Sequence, residues 1–151
     1  MTAISLVLLS LLGAVIAAVV GTIWYSPATP MGRIHMQSLG FDKLSKEEQK
    51  KKMEEAKPKM VKMYLAQMAL SFLTAFAVVF VVAQSLQSGL TLGMALGFVA
   101  FNWLCFVVPV VGSGALWSNC DPKLVWKKFF SDISSNLVTL MLTALVVSLF
   151  V

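Results

Sequence analysis

The stretch "VVGTIWYSP", Val19 to Pro27, closes an apolar run that begins at Ala3 and carries no charged residue. A helix rises 1.5 Å per residue, so a run of roughly 20 apolar residues crosses about 30 Å of hydrocarbon. The run stops at an indole and a phenol, the side chains that settle at headgroup level with ring in the apolar zone and polar tip in water. Ser26 precedes a proline and is biased away from helical angles, and Pro27 and Pro30 discourage the helix from continuing. Trp24, Tyr25 and Pro27 therefore read as anchors where a spanning helix meets an aqueous interface. A removable signal peptide fits poorly, because the run lacks a positive leading segment and its apolar stretch is too long.

Working outward, three further runs have the same character, giving spans at about 3–25, 63–86, 91–116 and 131–151. Hydrophobic residues make up 58% of the 151 and charged residues only 13%, and mean hydropathy is +0.83. A soluble domain carries about a quarter charged residues and leaves nearly a third of its chain surface in water. This chain cannot hide its apolar surface that way, so lipid has to solvate it. The fold expected is all-α: one integral membrane domain over 1–151, a four-helix transmembrane bundle. Between helices one and two lies a basic, partly helical cytoplasmic loop, 26–62. "QSGLT" (Gln87–Thr91) is a tight turn joining the second and third spans.

All twelve Lys and Arg fall in the first and last connections: nine between Arg33 and Lys62, then Lys123, Lys127 and Lys128. With four spans these connections share a side, and the positive-inside rule makes it cytoplasmic, or the organellar equivalent, with both termini opposite. A bacterial inner membrane and an organellar membrane satisfy this pattern equally. The net charge of +5 lies beside apolar spans without aromatic interleaving or a nucleic-acid motif, which argues against a nucleic-acid partner. In the loop, "SKEE" makes a capping box of Ser45 and Glu48. Glu47–Lys51, Glu48–Lys52 and Glu55–Lys59 are helix-stabilising pairs at i,i+4. A short helix from Ser45 to about Ala56 follows, with Pro58 breaking it or opening a second one. Met53, Ala56, Met60 and Met63 form a thin apolar stripe facing its own bundle, anionic headgroups or a partner.

The motif also carries a resemblance. Gly21, Trp24, Tyr25, Ser26 and Pro27 at the end of a first span, with Gly32 after them, resemble the small four-helix membrane proteins of domain-of-unknown-function family 1761. "LWSNCDPKL", with Pro122 and Lys123, is similar to that family's turn before the last span. His35 stands where members often have a tryptophan, and the linker is more charged. The resemblance covers the whole chain and implies four membrane helices; it implies no activity.

Polar side chains at membrane depth are where function would show. Asp132, Asn136 and Thr139 share one face of the last helix, Gln67, Ser71 and Thr74 one face of the second, and Asn102 lies near the middle of the third. These seven form a candidate polar seam, readable as packing glue or as a hydrated pocket. Asp132 sits at the edge of its span, one turn from Lys128, its expected ion-pair partner. Gly13, Ala17 and Gly21 on the first helix, and Gly93 and Gly97 on the third, mark faces where backbones approach closely. Pro109, followed by Gly112 and Gly114, predicts a kink and then termination of the third helix.

Catalytic signatures are lacking. A single histidine, His35, and two distant cysteines make no metal centre, no phosphate- or dinucleotide-binding fingerprint occurs, and nothing in the spacing of His35, Cys120 and Asp121 makes a site. No catalytic residue, cofactor or metal is expected, and the chain is not expected to be an enzyme. Two functions remain open. One is a structural or accessory component acting through helix association, as a homo-oligomer or a subunit of a larger membrane complex. The other is a minimal oligomeric transporter or channel for a small solute, using the polar seam. The partners expected are the lipid bilayer, further copies or other membrane proteins, and anionic lipid for the basic loop.

Overall fold

The structure is a computed structural model that describes residues 1–118 and 121–151. Its ordered elements are helical among those residues: α1 (Ala3–Trp24), α2 (Pro30–Ser38), α3 (Lys46–Gln87), α4 (Leu92–Asn102), a π-helical segment (Trp103–Val107), α5 (Val108–Leu116) and α6 (Pro122–Ser148). A 3-10 turn at Phe41–Lys43 links α2 to α3. Four helices are long and apolar enough to cross a membrane: α1, α3, the continuous Leu92–Leu116 rod and α6.

α1, α3 and α6 pack together, and α4 closes against α3 and α6. Their shared core is small and aliphatic: Leu9 from α1, Val78, Val79 and Val82 from α3, Val99 from α4, and Leu140, Ala144 and Val147 from α6. Gly13 sets how closely α1 approaches. A Cβ there would lie 2.6 Å from the Ala75 Cβ and 2.9 Å from the Thr143 Cγ2, so no larger residue fits without moving a helix.

The turn after α3 is a Schellman cap. Gly89 adopts φ 81°, its N–H donates to the Leu86 carbonyl at 3.0 Å and the Leu90 N–H to the Ser85 carbonyl at 3.1 Å. Thr91 then caps α4, its hydroxyl accepting from the Met94 N–H. Ser45 and Glu48 make both bonds of the expected capping box.

Three local expectations need correction. The basic loop holds an additional helix, α2, with Thr29 as N-cap and Pro30 in its first turn; Pro30 starts a helix here rather than only preventing one. Pro58 neither ends nor starts a helix, for α3 runs through it over 42 residues, about 63 Å long. The missing amide leaves only the Glu54 carbonyl without its helical partner. Both residues are exposed, where water replaces that bond, and the lysines, glutamates and methionines around them are good helix formers. Pro109 does not terminate its helix either: α5 continues through Gly112 and Gly114 to Leu116. The π-helical turn just before it, where the Val108 N–H donates back to the Trp103 carbonyl, absorbs the irregularity.

Candidate functional site

The aromatic end of α1 makes specific tertiary contacts. Trp24 and Tyr25 are half-buried and turned onto α6. The Trp24 indole donates to the Ser131 hydroxyl at 3.2 Å, and the Tyr25 phenol donates to one Asp132 carboxylate oxygen at 2.9 Å. The other Asp132 oxygen takes the Lys128 ammonium, the expected i,i+4 ion pair. Among the described residues it is also the only ion pair; the pairs read into Glu47–Lys51, Glu48–Lys52 and Glu55–Lys59 are not closed. The two donors on this carboxylate offset part of the cost of keeping a charge in a half-buried position.

The residues after Pro27 fold back beneath this junction. The Thr29 hydroxyl lies 2.7 Å from the Trp24 carbonyl and 2.9 Å from the Ser26 carbonyl, sharing its proton between them, and accepts from the Gly32 N–H at 2.9 Å. This turn presses α2 against the end of α1. A Cβ on Gly32 would fall 1.9 Å from the Ser26 carbonyl oxygen, a backbone atom that cannot yield, so only glycine fits.

α2 in turn lies on α6 and brings His35 to the Tyr25 ring, with centroids 5.0 Å apart and planes tilted by 54°. The His35 Nδ1 is enclosed and has no hydrogen-bond partner among the described residues. Burial, and then the Lys128 charge, hold the imidazole below its ordinary pKa, with Asp132 opposing them. Beside the Lys128–Asp132 pair, α2, α5 and α6 enclose a mostly apolar cavity of about 260 Å³ that reaches Ser38, Val111, Gly114 and Phe129. Chemically the cluster is a latch: the indole and the phenol each have an acceptor on α6, and the enclosed His35 Nδ1 has no hydrogen-bond partner among the described residues.

The seam residues do not converge. Gln67 bonds Ser71 on its own helix at 3.4 Å, and Thr74, Asn102, Asn136 and Thr139 each donate to the carbonyl four residues earlier. Of the seam, Asp132 alone lines the cavity just described, and none of it lines the smaller one of about 180 Å³ near Thr2 and Gln84. α3 and α6 do pack together, but through the valines, leucine and alanine of the core. Gln67, Thr74, Asn102 and Asn136 lie exposed on the bundle's outside.

The small-residue faces divide. Gly13 is locked into the core, whereas a Cβ on Gly21 or Gly97 meets nothing within 4 Å, and one on Gly93 meets only the Thr91 hydroxyl at 3.9 Å; Ala17 is half-buried. Asp121 caps α6, accepting from the Lys123 N–H at 2.8 Å. Cys120 lies outside the described residues, and among those described no three His, Cys, Asp or Glu gather as a metal site.

Sequence reasoning missed Thr29, Ser131 and Trp103, whose indole donates to the Ile133 carbonyl at 3.0 Å and ties the π turn to α6. An indole inside an apolar run needs an acceptor, and that was the available signal.

Comparisons with curated proteins and with solved structures give no match. The family profile described as "Protein of unknown function (DUF1761)" matches residues 8–148, from the core of α1 to the end of α6. The chain belongs to that family.

Proposed function

We propose that this chain is an integral membrane protein that works as a structural or accessory component through helix association, as a homo-oligomer or within a larger complex. Insertion is supported by the outer surface of its four long helices, where Ile4 is 74%, Leu65 67%, Phe106 66% and Val110 72% exposed. Water would penalise each such side chain by about 1.5–3 kcal/mol relative to burial. Both termini then lie on one side, with the lysine-rich connections on the cytoplasmic side.

One observation carries the association reading. Gly93 and Gly97 keep a flat patch on α4 that nothing inside the chain requires, and a flat helix face in lipid is where a second helix packs closely. Replacing both with Ile is expected to dissociate the assembly seen by native mass spectrometry from lipid-preserving polymer, while the subunit stays folded. An unchanged assembly would refute the reading.

A second reading, transport between copies, draws on Asn102 and Asn136, which stay exposed with spare hydrogen-bonding capacity. Asn102→Leu with Asn136→Leu would then abolish solute flux in liposomes without disturbing assembly; retained flux would sink it.

A further inference from the structure

α3 continues beyond its apolar part as a helix from Lys46 to Lys62, about 25 Å of rod in which nearly every side chain is exposed. The membrane reading above makes this rod a projection away from the bilayer, since it prolongs a spanning helix without a break. It therefore cannot lie flat on its own headgroups. Its pattern is ordered. Met53, Ala56, Met60 and Met63 recur at alternating three- and four-residue spacing, the a and d positions of a heptad. In that register Lys50 and Lys57 take the e positions and Lys52 and Lys59 the g positions. Glu47, Glu48, Glu54 and Glu55 all fall at b and c, off to one side. With the i,i+4 pairs unclosed, the four flanking lysines remain available.

We infer that this rod is a docking helix for an acidic amphipathic helix of a partner protein, which would lay its apolar stripe along Met53–Met63 and its carboxylates along Lys50, Lys52, Lys57 and Lys59. A second copy of the chain is the wrong occupant. Pairing two such rods in parallel sets g against e, and antiparallel pairing sets e against e and g against g; lysine meets lysine in both. Methionines along the stripe suit an adaptable apolar contact, and the charge complement sets partner choice and encounter rate.

The test uses the full chain in phosphatidylcholine nanodiscs and two synthetic three-heptad helices, both with Leu at a and d, one with Glu and one with Lys at e and g. The Glu helix is expected to bind, and the Lys helix to bind more weakly by about tenfold or more. The variant Lys50→Glu, Lys52→Glu, Lys57→Glu, Lys59→Glu is expected to reverse that preference. In native membranes, a photoreactive residue at Met60 is expected to join a different chain, at a segment acidic on both flanks of its apolar stripe, and to lose that adduct in the charge-reversed variant. Equal binding of the two helices, an adduct between copies of this chain, an adduct to lipid or no adduct would each overturn the inference. Helicity by circular dichroism checks that the variant folds. Retention in membranes after an alkaline wash reports separately on insertion, so a failure of the membrane reading is told apart from a failure of docking.

Discussion

Gly13 on α1 and Gly97 on α4 look alike in sequence, each a small residue in a small-xxx-small spacing within a long apolar run. Their surroundings differ completely. Gly13 touches two other helices so closely that a single carbon would collide with Ala75 and Thr143, while Gly97 faces open space. Spacing shows that a backbone is accessible; it does not show whether the neighbour belongs to the same chain. The inner glycine is a packing requirement of the chain itself, and the outer one is surface that nothing in the chain covers.

That contrast can be broken or sharpened by substitution. The largest effect is expected at a third position, Gly32, where the obstacle is a backbone carbonyl at 1.9 Å. Gly32→Ala should cost about 3 kcal/mol, at the upper end of overpacking effects, and lower the thermal midpoint in detergent; an unchanged midpoint would mean that α2 does not seat against Ser26. Gly13→Ala should cost somewhat less, about 2 kcal/mol, because the obstacles there are side-chain carbons at 2.6 and 2.9 Å rather than a backbone carbonyl. Gly97→Ala should change the stability of the single chain by no more than about 0.5 kcal/mol, because nothing within the chain lies against it. If the two were equally harmful, the inner–outer distinction would be lost.

Tyr25→Phe removes one donor from Asp132 while leaving the ring on His35, and is expected to cost about 1.5–3 kcal/mol as a bond to a charged group. A midpoint insensitive to it would remove the latch. The smallest effect is a pH dependence. The His35 pKa is lowered in the folded chain, so below about 6.5 the unfolded chain binds the proton first. Stability therefore declines as pH falls from the ordinary histidine value toward the lowered one, and is unaffected by this group above it. His35→Gln should flatten that limb of the pH–stability curve; an identical slope would show that another group titrates there.

Much of the architecture was legible because long apolar helices leave long, uncharged runs, and the capping box and the Gly89 turn have local signatures. The irregular points were not. Proline's missing amide predicts a break or a helix start at Pro58 and a kink with termination after Pro109, yet one helix is solvated where the bond is lost and the other takes a π turn. α2 was missed although Thr29–Pro30 is a cap followed by a first-turn proline; its turn depends on the Gly32–Ser26 approach, which no spacing reveals. Trp24 and Tyr25 read in sequence only as interface anchors, since their partners on α6 are distant along the chain. For the seam residues, period identifies a shared face, not the direction in which that face points.

That latch has a consequence for biogenesis. Trp24 and Tyr25 bind residues 107 positions further along the chain. At roughly 5–20 residues per second, a ribosome needs about 5–20 s to supply them after α1 has emerged. During that interval α1 has α3 to pack against once that helix has emerged, but not its polar partners on α6. Closure of the latch is thus a late event: the apolar packing of α1 against α3 can form first, and its polar contacts to α6 come last.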